Sequence, residues 1–292
     1  MPPTRRRFLS SGALSAAAFF GPRHLYAAEA KPVLFSAMGV SGSIEMAAEL
    51  KALGAGFLTV GTSDLLVPDR PEEVFAPLLE KALAAPLPVL ACNGFIRPAH
   101  LLCVGPKANH DEVLAWAGTA FERLARVKAK FMVFGSSGSR RLPKDWPKEK
   151  AEEQFVALLK RMGPLAEKAG VTVTVEQLQA SECNFINHIT HAAKLIRAAE
   201  HPNIRLLADL FHMAQGGDTP DDLMAAMDVV VQVEIAEKGE RTYPGMTGYD
   251  FRPYFRVLRE AGYKGAVSIE GKGEAARLPA AFAEIAKQAA EA

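Results

Sequence analysis

Eight short apolar runs of strand character, each followed by a stretch of helical period, constrain this chain more than any other feature. The runs are Val33–Ala37, Phe57–Gly61, Pro88–Cys92, Phe131–Gly135, Val171–Glu176, Ile204–Asp209, Val229–Ala236 and Ala266–Glu270. Stretches such as Ser43–Leu53, Glu112–Val127 and Glu149–Ala169 separate them. Strand followed by helix, repeated, calls for a parallel sheet, because a long crossover must carry the chain back before a parallel neighbour can start. Eight such units are the number at which the sheet closes on itself. The expected fold is therefore α/β, a (β/α)8 TIM barrel. One miscounted strand would leave an open doubly wound sheet instead.

The N-terminus reads as an address. Thr4-Arg5-Arg6-Arg7-Phe8-Leu9-Ser10 runs into an apolar, small-residue stretch ending at Phe20, the pattern of a twin-arginine signal peptide. Pro22, Arg23 and His24 cut that stretch short of the ~20 apolar residues of a spanning helix, so no stable membrane anchor is expected. Ala28 and Ala30 offer a cleavage site. The expected organisation is a signal peptide over 1–30 and a single barrel domain over 31–292, exported to the periplasm or beyond by the twin-arginine machinery. Without residues 1–30 the chain keeps 30 basic and 32 acidic side chains, a net charge of −2. That balance gives no support to a nucleic-acid partner, which draws on a basic surface. The sequence leaves a homo-oligomer open. Cys92, Cys103 and Cys183 lack metal-ligand spacing and read as small buried hydrophobes, with a Cys92–Cys103 disulfide as the alternative.

In a barrel of this kind chemistry sits at the C-terminal ends of the strands. The second half of the chain concentrates carboxylates there: Val-Thr-Val-Glu176, Leu-Leu-Ala-Asp209, Glu234 with Gln232 before it, and Val-Ser-Ile-Glu270. Each follows an apolar run, where an unpaired carboxylate is costly. One acid at a strand end is ordinarily a helix cap or an ion-pair partner. Four on consecutive strands point to a hard divalent cation held by oxygen ligands: Mn2+ first, with Mg2+ or Co2+ as alternatives.

These residues resemble those of the sugar-phosphate isomerase/epimerase family of xylose-isomerase-like barrels, which includes ketose 3-epimerases and hydroxypyruvate isomerases. The resemblance is carried by Val175-Glu176-Gln177-Leu178, Glu182-Cys183-Asn184-Phe185-Ile186-Asn187, Leu207-Ala208-Asp209-Leu210-Phe211-His212-Met213, Ile235-Ala236-Glu237, Arg241, Pro244-Gly245, Gly262-Tyr263 and Ser268-Ile269-Glu270. It implies a metal held by Glu176, Asp209, Glu234 and Glu270, and a small sugar contacted by Glu182, His212 and Arg241. Two departures stand out. The strand-7 ligand resembles His in the epimerases and Gln in the hydroxypyruvate isomerases, whereas Glu234 stands here; Gln232, two residues earlier on the same face, competes for the role. Arg241 lies seven rather than six residues beyond the strand-7 position.

The resemblance further implies proton abstraction beside a carbonyl through a metal-stabilised enediolate, with Glu176 and Glu270 as general base and general acid. Three readings share this pocket: an isomerase or epimerase, a lyase that follows the same proton abstraction on a 3-keto-glycoside with β-elimination, and a non-catalytic sugar-binding barrel. DNA-repair endonucleases of the same barrel type match poorly, since the chain offers neither histidine-rich metal sites nor a basic groove. In the first half, Cys92-Asn93-Gly94-Phe95 and Gly135-Ser136-Ser137-Gly138, after strands 3 and 4, look similar to the family's loops that line the sugar pocket. The segment Gly135 to Arg141 reads either as a phosphate cradle or, more simply, as a Ser/Gly turn. His100, His110, His188, His191 and His201 have no ligand spacing, and Trp116 and Trp146 read as packing or rim residues.

Overall fold

A strand turns successive side chains to opposite faces, so a parallel strand covered on both faces needs apolar residues at nearly every position. The eight strands meet that demand except at the barrel interior, where polar residues such as Thr59, Thr174, Gln232 and Ser268 pair with one another. The computed structural model describes residues 33–292, and the twin-arginine stretch lies outside them. The strands are β1 (Met38–Ser41), β2 (Leu58–Gly61), β3 (Val89–Asn93), β4 (Phe131–Phe134), β5 (Thr172–Glu176), β6 (Ile204–Asp209), β7 (Val230–Ile235) and β8 (Val267–Ile269). Each pairs in parallel with the next, and β8 returns to β1 with Met38 beside Val267 and Val40 beside Ile269, closing the barrel in sequence order. The open-sheet alternative is thereby excluded.

β1 corrects the sequence reading. Its strand starts at Met38, beyond the expected Val33–Ala37. Leu34 and Phe35 are buried all the same, and the Phe35 ring sits edge-on to Phe255 at 5.3 Å and to Tyr263 at 6.3 Å. The apolar run therefore packs on aromatic side chains of a later part of the chain, while the less apolar Met-Gly-Val-Ser segment enters the sheet. Gly39 is needed there, because a Cβ at this position would lie 2.4 Å from the Phe57 ring.

The outer helices bury one stripe each. In Lys148–Ala169 the buried residues include Phe155, Leu158, Leu159, Met162 and Ala166, spaced three and four apart, and Gly170 ends the helix in the left-handed conformation at φ 71°. A row of rings, Phe121, Phe95, Phe134, Phe155 and Phe185, runs through this layer with neighbouring centroids 5.4 to 5.9 Å apart. It ties the helices that follow β3, β4 and β5 to the wall that carries the site. Among the described residues no helix is long and apolar enough to cross a membrane.

Candidate active site

The two-residue period builds the barrel interior in layers. One layer holds Thr59 against Ser268, their hydroxyls 3.3 Å apart, and Thr174, whose hydroxyl donates to Gln232 Oε1 at 3.1 Å. Two residues further along the same inward faces come Glu176, Asp209, Glu234 and Glu270. Register places Asp209 beside Glu234. Each of the four acids offers a carboxylate oxygen, and these oxygens all lie within 4.8 Å of one another. Glu234 is thus the strand-7 member of the cluster, and Gln232 occupies the layer beneath it.

Burial and mutual repulsion set the electrostatics. Glu176, Asp209 and Glu234 are buried, and Glu270 is partly so. Burial, then the neighbouring Glu270 and Asp209, pushes the Glu176 carboxyl well above the usual range. Burial followed by Glu270, Glu176 and Asp209 does the same to Glu234. Burial also raises Asp209 and Glu270, moderated in both by the Arg241 guanidinium. Neither oxygen of Glu234 has a hydrogen-bond partner, although the residue is wholly inaccessible to solvent. A buried ion without partners costs several kcal/mol. An oxygen-only donor set with an orphaned carboxylate at its base fits a hard divalent cation, which would remove both the repulsion and the orphan.

A second group that could hold an ion joins Glu176 and Asp209 to His212, and the imidazole's own hydrogen bonding decides against it. His212 Nδ1 faces the backbone N–H of Gln179 at 3.2 Å, and an atom that accepts there carries no proton. Burial, then Arg241, lowers the imidazole to about 4, so the neutral ring carries its proton on Nε2. A protonated nitrogen has no lone pair for a metal. Nε2 is buried and without a hydrogen-bond partner, 3.5 Å from Glu176 Oε1 and 3.6 Å from Asp209 Oδ2, a donor ready for a substrate oxygen.

Asp209 does two jobs. Its carboxylate caps the helix Leu210–Gly216, accepting from the backbone N–H of Phe211 at 2.7 Å and of His212 at 3.2 Å. The cap sets His212 one turn from the acid it serves. Arg241 reaches the cluster from the loop after β7: Nη2 lies 3.4 Å from Asp209 Oδ2 and donates to Glu270 Oε2, and Nη1 lies 3.5 Å from Glu182 Oε1. Its guanidinium sits 4.8 Å from the Phe211 ring centroid, a cation–π contact. Glu182 also accepts from Gln179 Nε2 at 2.7 Å. All seven residues expected from the sequence thus converge.

Several further residues, beyond these seven, hold them in place. Asn93 Nδ2 donates to Glu270 Oε1 at 2.7 Å. Gly135 lets Glu176 approach, since a Cβ there would stand 2.1 Å from Glu176 Oε2. Gln177 Nε2 donates to the Asp209 carbonyl at 3.1 Å. Arg140, wholly buried, donates to the carbonyls of Phe134 at 3.2 Å and Glu176 at 2.6 Å, clamping the ends of β4 and β5. That use removes Arg140 from the phosphate-cradle reading of this segment. Asn93, Gly135 and Arg140 fall in segments that the sequence marked as pocket loops or a phosphate cradle, and Gln177 in the β5 motif; the partners they meet, distant in the chain, were not legible there.

Residues Asn93, Gly94, Arg97, Ser136, Glu176 and Glu270 are among those lining a cavity of about 320 Å³ above the acids. Glu176 and Glu270 face it, together with Glu182, His212 and Arg241, whereas Asp209 and Glu234 lie outside its lining. The three cysteines are free and buried, which overturns the disulfide alternative. Cys103 donates to Ser139 Oγ at 3.5 Å, and burial pushes its thiol up to about 12. Trp116 packs, with Nε1 donating to the Phe95 carbonyl at 2.9 Å.

Known proteins share this architecture. The 3-keto-D-glucoside 4-epimerase YcjR from E. coli superposes with a TM-score of 0.70 at 22% identity, over 84% of this chain and 97% of that one. The IOLI protein, solved with a bound zinc atom, superposes with a TM-score of 0.70 at 18% identity, over 87% and 98%. At these identities the likeness is one of fold. In sequence, a candidate hydroxypyruvate isomerase of Xenopus laevis is 26% identical over 136 residues, covering 45% of this chain and 50% of that protein. The chain therefore spans about half the length of that curated relative. The model of the xylose isomerase-like TIM barrel family matches residues 45–291. With the closed barrel in place and its strand-end acids assembled, the chain belongs to the xylose isomerase-like TIM barrel family.

Proposed function

We propose that this chain is a divalent-metal-dependent sugar isomerase or epimerase that moves a proton beside a carbonyl. The observation that carries the reading is the division of the acid cluster: Glu176 and Glu270 line the cavity, and Asp209 and Glu234 do not. Glu176 and Glu270 come from the ends of strands three apart in the closed ring, so their carboxylates approach the space between them from different sides. Glu176, Asp209, Glu234 and Glu270 would hold a cation, which would supply Lewis acidity at the carbonyl, Mn2+ being the first choice for such oxygen ligands. Glu176 takes the proton, because its carboxylate accepts no close hydrogen bond and burial raises its basicity. Glu270, held by Asn93 and Arg241, returns a proton from its own side. His212 Nε2–H donates to a substrate oxygen, and Arg241 with Glu182 fixes the neighbouring hydroxyls. The cavity is at the small end of ligand pockets and suits a monosaccharide.

The testing experiment is turnover of ketoses in D2O with the metal-loaded protein. Deuterium should enter the carbon beside the carbonyl, and Glu176→Gln should abolish its entry. Turnover with no deuterium uptake would count against the proposal. A Glu176→Gln protein that turns sugar over at the wild-type rate would remove Glu176 as the base, and a metal-loaded wild-type protein that binds sugar without turning it over would favour a mere binding barrel.

A second reading keeps the first step and changes the outcome. Likeness in fold to a 3-keto-D-glucoside epimerase supports a 3-keto-glycoside substrate, on which proton removal beside the C3 carbonyl would expel the C1 substituent. Release of free aglycone distinguishes that lyase from an isomerase. The Arg5-Arg6-Arg7 stretch supports export through the twin-arginine pathway. Cell fractionation of wild type against an Arg5,Arg6,Arg7→Lys variant tests it, with retention of the variant in the cytoplasm expected.

A further inference from the structure

We infer that Glu237 is the positioning residue for Arg241: it folds the loop after β7 around its own carboxylate and so aims the guanidinium at the acid cluster. The inference rests on the substrate-binding role proposed for Arg241. Glu237 is wholly buried and does not line the cavity. Its Oε1 accepts the backbone N–H groups of Gly245 at 2.8 Å, Gly248 at 3.1 Å and Tyr249 at 3.2 Å. Its Oε2 accepts the hydroxyls of Thr242 at 3.1 Å and Thr247 at 2.7 Å, together with the Thr247 N–H. Six donors converge on one carboxylate, and every one comes from the loop that carries Arg241. Burial pushes the Glu237 carboxyl up, but the Thr247, Gly245 and Tyr249 donors outweigh it and hold the group below its ordinary value. Unlike Glu234, whose oxygens have no partners, Glu237 is satisfied without a cation.

The near end of the loop is closed by the same residue, whose backbone N–H donates to the Thr242 carbonyl at 2.8 Å. Between these two atoms the chain fits Lys238 to Arg241. Arg241 makes the turn with φ 58°, the left-handed region that a side chain such as Arg enters only under constraint. The far side of Arg241 is held by β8, through Lys272 N–H to the Arg241 carbonyl and the Thr242–Lys272 bridge. From this twisted position Nε donates to the Glu270 carbonyl at 3.0 Å and the terminal nitrogens reach Asp209, Glu182 and Glu270. Small displacements of a positioning group cost up to about a hundredfold in rate, so losing the carboxylate that shapes this loop should register at Arg241.

The test compares Glu237→Gln in wild-type and Arg241→Met backgrounds. The substitution keeps volume but turns an amide N–H toward donors that need an acceptor. Expected in the wild-type background is a loss of about 10- to 100-fold in kcat/KM, with Mn2+ affinity within about threefold of wild type. Expected in the Arg241→Met background is less than a further twofold loss, because the residue being positioned is gone. An equal loss in both backgrounds, or none in either, overturns the inference. Two readouts need no turnover: phenylglyoxal should modify Arg241 faster in Glu237→Gln by peptide mapping, and the amides of Gly245, Gly248 and Tyr249 should exchange faster while β6 and β7 stay protected. Unchanged modification and exchange overturn the inference even where no sugar is turned over. Faster modification without any turnover supports it and counts against the proposed activity instead. Should Glu237→Gln fail to fold, Thr247→Ala removes a hydroxyl donor while keeping the carboxylate, and a threefold to tenfold loss with the same dependence on Arg241 is expected.

Discussion

The backbone N–H of Gln179 points at Nδ1 of His212 from 3.2 Å, and that single contact fixes which nitrogen of the imidazole carries the proton. Gln179 belongs to the segment after β5 and His212 to the helix after β6, so two strand-end segments meet to set one tautomer. Nε2–H is left as a donor toward the cavity, and of the two clusters that could hold an ion the four carboxylates fit one better.

His212→Asn should therefore lower kcat/KM by about 100-fold, the scale of a lost donor that acts on developing charge. Divalent-cation affinity should stay within about threefold of wild type. Isothermal titration with Mn2+ alongside steady-state kinetics checks both, and a loss of cation affinity that parallels the loss of activity would make His212 a ligand and defeat the tautomer argument.

Glu234→Gln should act in opposite directions on two observables. It removes a buried carboxyl whose oxygens both lack partners and whose ionisation burial and the neighbouring acids oppose, so the metal-free protein should gain thermal stability, by an amount on the order of 1–3 kcal/mol. It also removes a ligand, so cation affinity should fall by at least about tenfold. Thermal melts with and without Mn2+ check both effects. A metal-free variant less stable than wild type would show that Glu234 is satisfied by something other than a cation.

Gly135→Ala should cost activity with little effect on folding. The added methyl would stand 2.1 Å from Glu176 Oε2, so the carboxylate has to move, and about a hundredfold loss of kcat/KM is expected. Thermal stability near the wild-type value together with the activity loss is the expected pair. Wild-type activity in this variant would mean that the position of Glu176 is not critical.

Stability should depend on pH in a direction set by the four acids. Their carboxyls are raised in the folded state above their ordinary values of 3.8 and 4.5, so between the two values the folded protein binds more protons than the unfolded chain. Their contribution is thus fully present below the unfolded value and is lost as pH rises through the folded one. His212 works the other way: held down to about 4 against 6.5, it contributes stability that is present above 6.5 and is lost as pH falls toward 4. His191, also lowered by burial, works with His212, but four acids outnumber two imidazoles, and the metal-free melting temperature should fall as pH rises from about 5 to 8. Saturating Mn2+ should remove that decline, because the cation takes the place of the protons. Melts across this range check the prediction, and a metal-free protein that gains stability toward pH 8 would contradict the raised carboxyls.

What the sequence determined is the part governed by local period and by residue type. The alternation of apolar runs and helical stretches led to the closed barrel, and Glu176, Asp209, Glu234 and Glu270 marked a candidate site because four acids at the ends of consecutive apolar strands, unlike one, exceed what caps and ion pairs ordinarily use. The residues near them in the motif, Glu182, His212 and Arg241, joined the same cavity. Tertiary structure decided what depends on contacts between segments distant in the chain. Val33–Ala37 has the composition of a strand, but its Phe35 finds Phe255 and Tyr263, and β1 begins at Met38 instead. Gln232 and Glu234 share a face, and only register and the depth of the barrel set one among the acids and the other against Thr174. Arg140 looked like part of an anion-binding turn, yet the carbonyls of Phe134 and Glu176 take its guanidinium into the interior. Periodicity states which face a side chain occupies; the partner it meets there depends on the closure of the whole ring.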